Sequence, residues 1–135
     1  EKDNLKKLLT HDKVEIRLRA AEVLLGLDEL SGLQVVKDAL SNSNATWRRR
    51  AATILLTCRR KEGVDLMLQG MDDADVQVRT TSSIALAGAM STLFPYVKFD
   101  LKKAGYDATS EDPVLRGKAL EKLRNWWAQN QPKGG

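Results

Sequence analysis

Three segments of the chain recur at a fixed interval, and that recurrence restricts the fold more than any other feature. Ile16-Arg17-Leu18-Arg19-Ala20-Ala21 returns as Trp47-Arg48-Arg49-Arg50-Ala51-Ala52 and again as Val78-Arg79-Thr80-Thr81-Ser82-Ser83, each 31 residues after the one before. Further along, Leu24, Leu55 and Leu86 share the register. A fourth copy, Leu115-Arg116-Gly117-Lys118-Ala119-Leu120 with Leu123, follows the third by 37 residues, which implies about six inserted residues. A period of this length is one supersecondary unit, too small to bury both faces alone, so the copies must stack.

Each copy reads as two helices. In the first copy Leu18, Ala21, Leu24 and Leu25 fall at helical spacing, and Ile16, Ala20, Val23 and Leu27 widen the stripe. A helix apolar over more than one face has to be packed from several sides. The second helix is shorter, carrying Leu33, Val36, Ala39 and Leu40 in the first copy and Val64, Met67, Leu68 and Met71 in the second. Ser31 is the expected N-cap in the first copy, and Gly63 marks the turn in the second. The connectors are short enough to make neighbouring helices antiparallel.

Repeats are thus expected near 12–41, 43–71 and 74–104, with a closing helix over 112–130 that starts at Pro113 and is capped by Ser110 or Asp112. Leu5, Leu8 and Leu9 lie in register with Val36, Ala39 and Leu40, so residues 1–10 read as the second helix of a preceding repeat. The chain opens Glu1-Lys2-Asp3, and it is expected to be a piece of a longer protein. In the third copy Pro95 is acceptable in a first helical turn, giving a helix over 92–103, with an extended segment as the competing reading. The tail 131–135 is expected to be disordered.

Composition excludes several classes. At 42% hydrophobic and 30% charged the chain is neither a disordered nor a membrane sequence. No apolar run approaches the roughly 20 residues a bilayer span needs, so no membrane insertion is expected. A single cysteine, Cys58, cannot form an internal disulfide or a thiolate metal cage, and a single histidine, His11, removes most zinc sites. No cofactor or metal is therefore expected.

The residues Asp72-Asp73-Ala74-Asp75-Val76-Gln77-Val78-Arg79 followed by Ala85-Leu86-Ala87-Gly88, and Asp12-Lys13-Val14-Glu15-Ile16-Arg17-Leu18-Arg19-Ala20-Ala21 with Leu24-Leu25-Gly26, resemble the HEAT repeat. The match is to the short bacterial subtype named after the phycobilisome lyases. The resemblance implies an all-α, right-handed α-α superhelix, a solenoid of about seven or eight helices in antiparallel pairs. It also implies a ladder linking the turn Asp of one repeat to the Arg of its neighbour. Arg17, Arg48, Arg79 and Arg116 match the Arg position, and Asp73 is the clear acidic partner. The family is defined by packing, so its activity does not follow from its fold.

The most conspicuous candidate site is basic. Between residues 44 and 63 stand six cations, Arg48, Arg49, Arg50, Arg59, Arg60 and Lys61, against one anion, in a chain of net charge +4. Arginine forks match phosphate oxygens, which makes this a candidate nucleic-acid patch. The structural alternative makes Arg48 the repeat's own Arg and places Arg59 to Lys61 at a helix C-terminus, where the dipole favours cations. The acidic run Asp72, Asp73 and Asp75 lacks the glycine and distal Glu of a calcium loop and reads as a helix cap. Cys58 reads as a small core residue, and Trp47, Trp126 and Trp127 as core and end-closing aromatics.

Solenoids usually present the face lined by their second helices. Here that face carries Gln34, Lys37, Asp38, Asp65 and Gln69, a mixed set suited to a protein partner. The expectation is a non-catalytic protein-protein interaction scaffold, with nucleic-acid binding through the Arg-rich second repeat as the alternative. A lyase subunit or a DNA glycosylase is the remote reading that the resemblance allows. Leu5 and Leu8, half covered at the N-terminal edge, would permit weak self-association.

Overall fold

The computed structural model describes residues 1–133 and is all-α. Seven α-helices occur among the described residues: α1 (Lys2–Leu8), α2 (Val14–Gly26), α3 (Leu33–Leu40), α4 (Ala45–Leu55), α5 (Val64–Gly70), α6 (Val76–Leu93) and α7 (Pro113–Asn130). Short 3-10 turns, Leu30–Gly32 and Lys61–Gly63, lead into α3 and α5. None of these helices is long and apolar enough to cross a membrane.

The period seen in the sequence is a period of the backbone. Helices α2, α4 and α6 start at residues 14, 45 and 76, and the two 3-10 turns start at residues 30 and 61, so both series keep the interval of 31. The residues before the three long helices, Lys13, Asn44 and Asp75, are all extended, with φ of −88°, −88° and −89°. Helix α4 lies between α2 and α6, while α3 touches α2, α4 and α5, and α1 packs on α2. Small residues at matching positions permit this close stacking: Ala20, Ala51 and Ser82 are buried, as are Ala21, Ala52 and Ser83. Around them Leu18, Leu24, Leu55 and Leu86 are withdrawn from water, each burial stabilising by about 1.5–3 kcal/mol.

One device builds every turn into a long helix. The residue two before the cap accepts a hydrogen bond from the cap's backbone N–H: His11 Nδ1 from Lys13 (3.0 Å), Asn42 Oδ1 from Asn44 (2.8 Å), Asp73 Oδ1 from Asp75 (2.9 Å) and Ser110 Oγ from Asp112 (3.3 Å). The backbone carbonyl of that same residue accepts from the arginine six positions on: Arg17 to His11 (2.6 Å), Arg48 to Asn42 (2.9 Å), Arg79 to Asp73 (2.9 Å) and Arg116 to Ser110 (2.8 Å). Turn carbonyls that a helix end would leave unpaired are thereby satisfied from within the copy.

Two expectations are corrected. Glu29, not Ser31, caps the turn before α3, its carboxylate accepting from Ser31 N at 3.3 Å; α3 itself begins at Leu33 behind Gly32. The helix over 92–103 does not form. Pro95 clashes with helical geometry at the residue before it, and Phe94 leaves the helix at φ −131°, ψ 68°. Residues 94–112 instead run as successive turns, pinned where the Tyr106 hydroxyl donates to Met71 O at 2.7 Å and Arg79 Nε donates to Ala108 O at 2.7 Å. Beyond α7, Lys61 Nζ donates to Pro132 O at 3.1 Å, and of the expected tail over 131–135 Gly134 and Gly135 lie outside the described residues.

Helix α7 is started by Pro113 and capped by Asp112, whose carboxylate accepts from Val114 N at 2.9 Å. Trp127 is buried, whereas Trp126, which holds the register of Cys58 and Ala89, is half-buried. Phe94 meets both indoles edge-on, with centroids 5.2 Å from Trp126 and 6.4 Å from Trp127. The aromatic residues that left the expected helix therefore close the stack against α7.

Candidate interaction surfaces

Two surfaces were legible as candidates, and their geometry differs. Gln34 and Lys37 on α3 face Asp65 and Gln69 on α5 across an open groove of about 390 Å³, with Leu33 and Leu66 at its base and Glu62 at one end. Gln34 and Asp65 occupy the same position of successive copies, so the stacking itself brings them together. Asp38 is set apart: it lines a smaller depression with Arg17, and its carboxylate accepts from Gln34 Nε2 at 2.9 Å. Among the described residues the side chains of Lys37, Asp65 and Gln69 make no hydrogen bond or ion pair.

The six cations of the second copy are arranged in the opposite way. Arg48 places Nε 3.0 Å from Asp73 in the next copy, with both side chains mostly buried. Arg49 forms a two-pronged bond to Asp75, at 2.8 and 3.0 Å. Arg50 reaches back to Glu22 at 3.0 Å, and Arg60 to Asp28 at 3.0 Å. Arg59 donates to Gly88 O at 3.0 Å and to the Thr92 hydroxyl at 3.3 Å, and Lys61 to Pro132 O. The arginines thus bridge the second copy to the first and third. Their guanidiniums sit where they are already bonded, which resolves why three arginines tolerate the unfavourable end of the α4 dipole.

The ladder expected from the turn acids is present in part. Arg48 meets Asp73 and Arg79 meets Glu111 (2.7 Å), while Arg116 Nε lies 3.7 Å from Asp72. Arg17 bonds carbonyls alone, because Asn42 stands where the next copy would offer an acid. Asp73 and Asp75 are occupied by arginines and backbone amides, and Asp75 caps α6 through Val78 N at 3.1 Å. The Arg49 bond holds the Asp75 carboxyl down at about 2. Among the described residues no group of three or more His, Cys, Asp or Glu side chains could hold a metal ion. Cys58 is buried, and burial pushes its thiol up.

A third surface was missed. Residues 97–104 and α7 enclose a cleft of about 310 Å³ floored by Phe99, Leu123 and Trp126 and edged by Lys98, Lys103 and Lys122. Its signal in the sequence was faint, because the lysines are scattered and the segment was read as a helix.

No family model matches the chain, and no curated protein matches it.

Proposed function

We propose that the chain is a non-catalytic binding module of the HEAT-repeat kind, a right-handed stack of helix pairs that holds an extended stretch of a protein partner along α3 and α5. The observation that carries this is the groove in which Gln34, Lys37, Asp65 and Gln69 converge with three of their four side chains unengaged. Polar groups of both signs over the apolar floor of Leu33 and Leu66 suit main-chain amides and mixed side chains. Rigid helices on either side keep the groove formed before a partner arrives, which lowers the ordering cost of binding. Phosphate binding by the second copy is the weaker reading, since its arginines would have to leave bonds that join the copies.

The test pans a displayed random-peptide library against the protein and measures selected peptides by calorimetry. Peptides that lose affinity when Lys37, Asp65 and Gln69 are changed to Ala support the groove. Peptides indifferent to those changes reject it. Anisotropy of labelled duplex and single-stranded DNA completes the comparison: salt-sensitive binding that needs Arg48, Arg49 and Arg50 would replace the protein reading.

A further inference from the structure

Among the described residues, exposed lysines without an ion pair gather beside α7. Lys98, Lys103 and Lys122 are exposed and edge the cleft over Phe99, Leu123 and Trp126, and none of them forms an ion pair among the described residues. The cleft continues past Ala104 and Lys122, which form walls of both, into a second depression of about 280 Å³ that adds Lys118 and Arg116. Two carboxylates, Asp100 and Asp107, also line this path, and both are engaged by their own loops. Asp100 accepts from Lys102 N at 2.9 Å, and Asp107 accepts from both the backbone N–H and the hydroxyl of Thr109, bonds that hold its carboxyl below the usual range.

Arg116 supplies an independent sign. Its side chain is only 7% exposed, yet Nε has no hydrogen-bond partner, and the nearest carboxylate oxygen, on Asp72, stands off at 3.7 Å. In the two preceding copies the equivalent Nε is satisfied, by Asp73 for Arg48 and by Ala108 O for Arg79. A buried guanidinium N–H without a close acceptor is costly, and the loosely held Arg116 adds its positive charge to the wall of the second depression.

We infer that this path along α7 docks an acidic peptide segment of a protein partner, with one large apolar side chain seated over Phe99, Leu123 and Trp126 and flanking carboxylates meeting Lys103, Lys122 and Arg116. An apolar floor edged by more cations (Lys98, Lys103, Lys118, Lys122 and Arg116) than carboxylates (Asp100 and Asp107) selects such a sequence over a neutral or basic one, because charge decides the encounter while the buried side chain supplies affinity. The two joined depressions suit an extended chain better than a compact ligand. Val97 and the fully exposed Tyr96 beside the cleft extend the apolar contact. The site lies apart from the α3/α5 groove, and it stands or falls separately.

The experiment uses the protein described here and a fluorescein-labelled peptide of about eleven residues bearing one Phe between pairs of Glu, read by anisotropy and by the indole N–H signals of Trp47, Trp126 and Trp127. We expect a Kd on the order of 10–100 µM at low salt, with the Trp126 signal moving and those of the other two tryptophans still. Replacing every Glu of the peptide by Gln, or its Phe by Gly, should weaken binding at least about tenfold. Lys103→Glu with Lys122→Glu should do the same, and both positions are exposed, so the fold is retained. Lys37→Glu, which alters only the α3/α5 groove, should leave the affinity for this acidic peptide unchanged. Equal binding of the Glu and Gln peptides, or indifference to the lysine reversals, overturns the inference. So does displacement of the peptide by a single-stranded oligonucleotide that binds more tightly. Loss of binding in Lys37→Glu alone would also overturn it, while leaving the α3/α5 reading intact.

Discussion

The fully buried guanidinium of Arg79 donates to the carbonyl of Ala108 at 2.7 Å, joining α6 to the irregular segment that follows it. The same group satisfies Asp73 O and Ala74 O and ends on Glu111, whose side chain is 74% exposed. Its work is therefore mostly done on neutral carbonyls. Arg79→Ala should cost on the order of 3 kcal/mol in urea unfolding, because three part-buried carbonyls lose their donor together and a fully buried side chain is removed. Glu111→Gln should cost less than about 1 kcal/mol, since an exposed carboxylate gives up little. Comparable losses for the two changes would contradict this division.

The acceptors His11, Asn42, Asp73 and Ser110 perform one task with four chemistries. Any short side chain that offers a lone pair should therefore serve. We expect His11→Asn to melt within a degree or two of the parent, and His11→Ala to lose about 1 kcal/mol. A melting curve for each settles the matter; equal destabilisation would mean that the ring itself, through its packing, is what counts.

Acid should weaken the junction of α4 and α6 as Asp75 takes up its proton. The carboxyl of Asp75 ionises at about 2 rather than 3.8, chiefly because of its bond to Arg49. A depressed value means that the folded state holds fewer protons than the unfolded one in this interval. Stability from Asp75 is thus complete above about pH 4 and is lost as the pH falls towards 2. Asp75→Asn keeps a good cap, as Asn44 does in the copy before, and should flatten the pH dependence of stability over that window. An unchanged slope in the variant would assign the acid sensitivity elsewhere.

Alkali should act on the opposite side of neutrality. Burial pushes the Tyr106 hydroxyl up to about 12 from 10, and it donates to Met71 O. Here the folded state keeps its proton longer than the unfolded one. The contribution is complete below pH 10 and declines as the pH rises to 12. Tyr106→Phe should be less stable at neutral pH by about 1 kcal/mol and should lose this alkaline decline. Stability curves of the two proteins between neutral pH and 12 would show it, and parallel curves would refute it.

Two glycines in equivalent turns should not respond alike. A Cβ on Gly32 would come within 2.9 Å of the Cα and carbonyl oxygen of Ala21, which are helix backbone and cannot yield. On Gly63 it would meet the Cys58 sulfur at 2.8 Å, a side chain with more room to turn. Gly32→Ala should be the more destabilising, by about 2–3 kcal/mol, with Gly63→Ala nearer 1. Thermal melts rank them, and the reverse order would place the tighter approach in the second copy.

The helix pairs were legible because the same residue types return at the same offset, so that one copy corroborates the next. Gln34, Lys37, Asp65 and Gln69 were found together for that reason. Where the period fails, legibility fails with it. Residues 94–112 repeat nothing, and reading Pro95 as a first-turn proline hid its consequence for Phe94. The engagement of the arginines was hidden for another reason. Their partners in the neighbouring copies lie 25 to 33 residues away, and adjacency across that distance exists only once the copies have stacked. A run of three arginines reads as a surface for a ligand until Glu22, Asp73 and Asp75 are seen beside it.

The turn shared by all four copies has a consequence for how such a chain can change length. Excising residues 45–75 would join Asn44 to Val76, leaving an asparagine cap, an Asn42 acceptor and an arginine six positions beyond it, as before. The splice would contain no conformation that the parent lacks, and Ser82 and Ser83 would take the buried positions that Ala51 and Ala52 hold beside α2. Growth and shrinkage by whole units therefore introduce no foreign joint, and the gene can alter reach without redesigning a single bend.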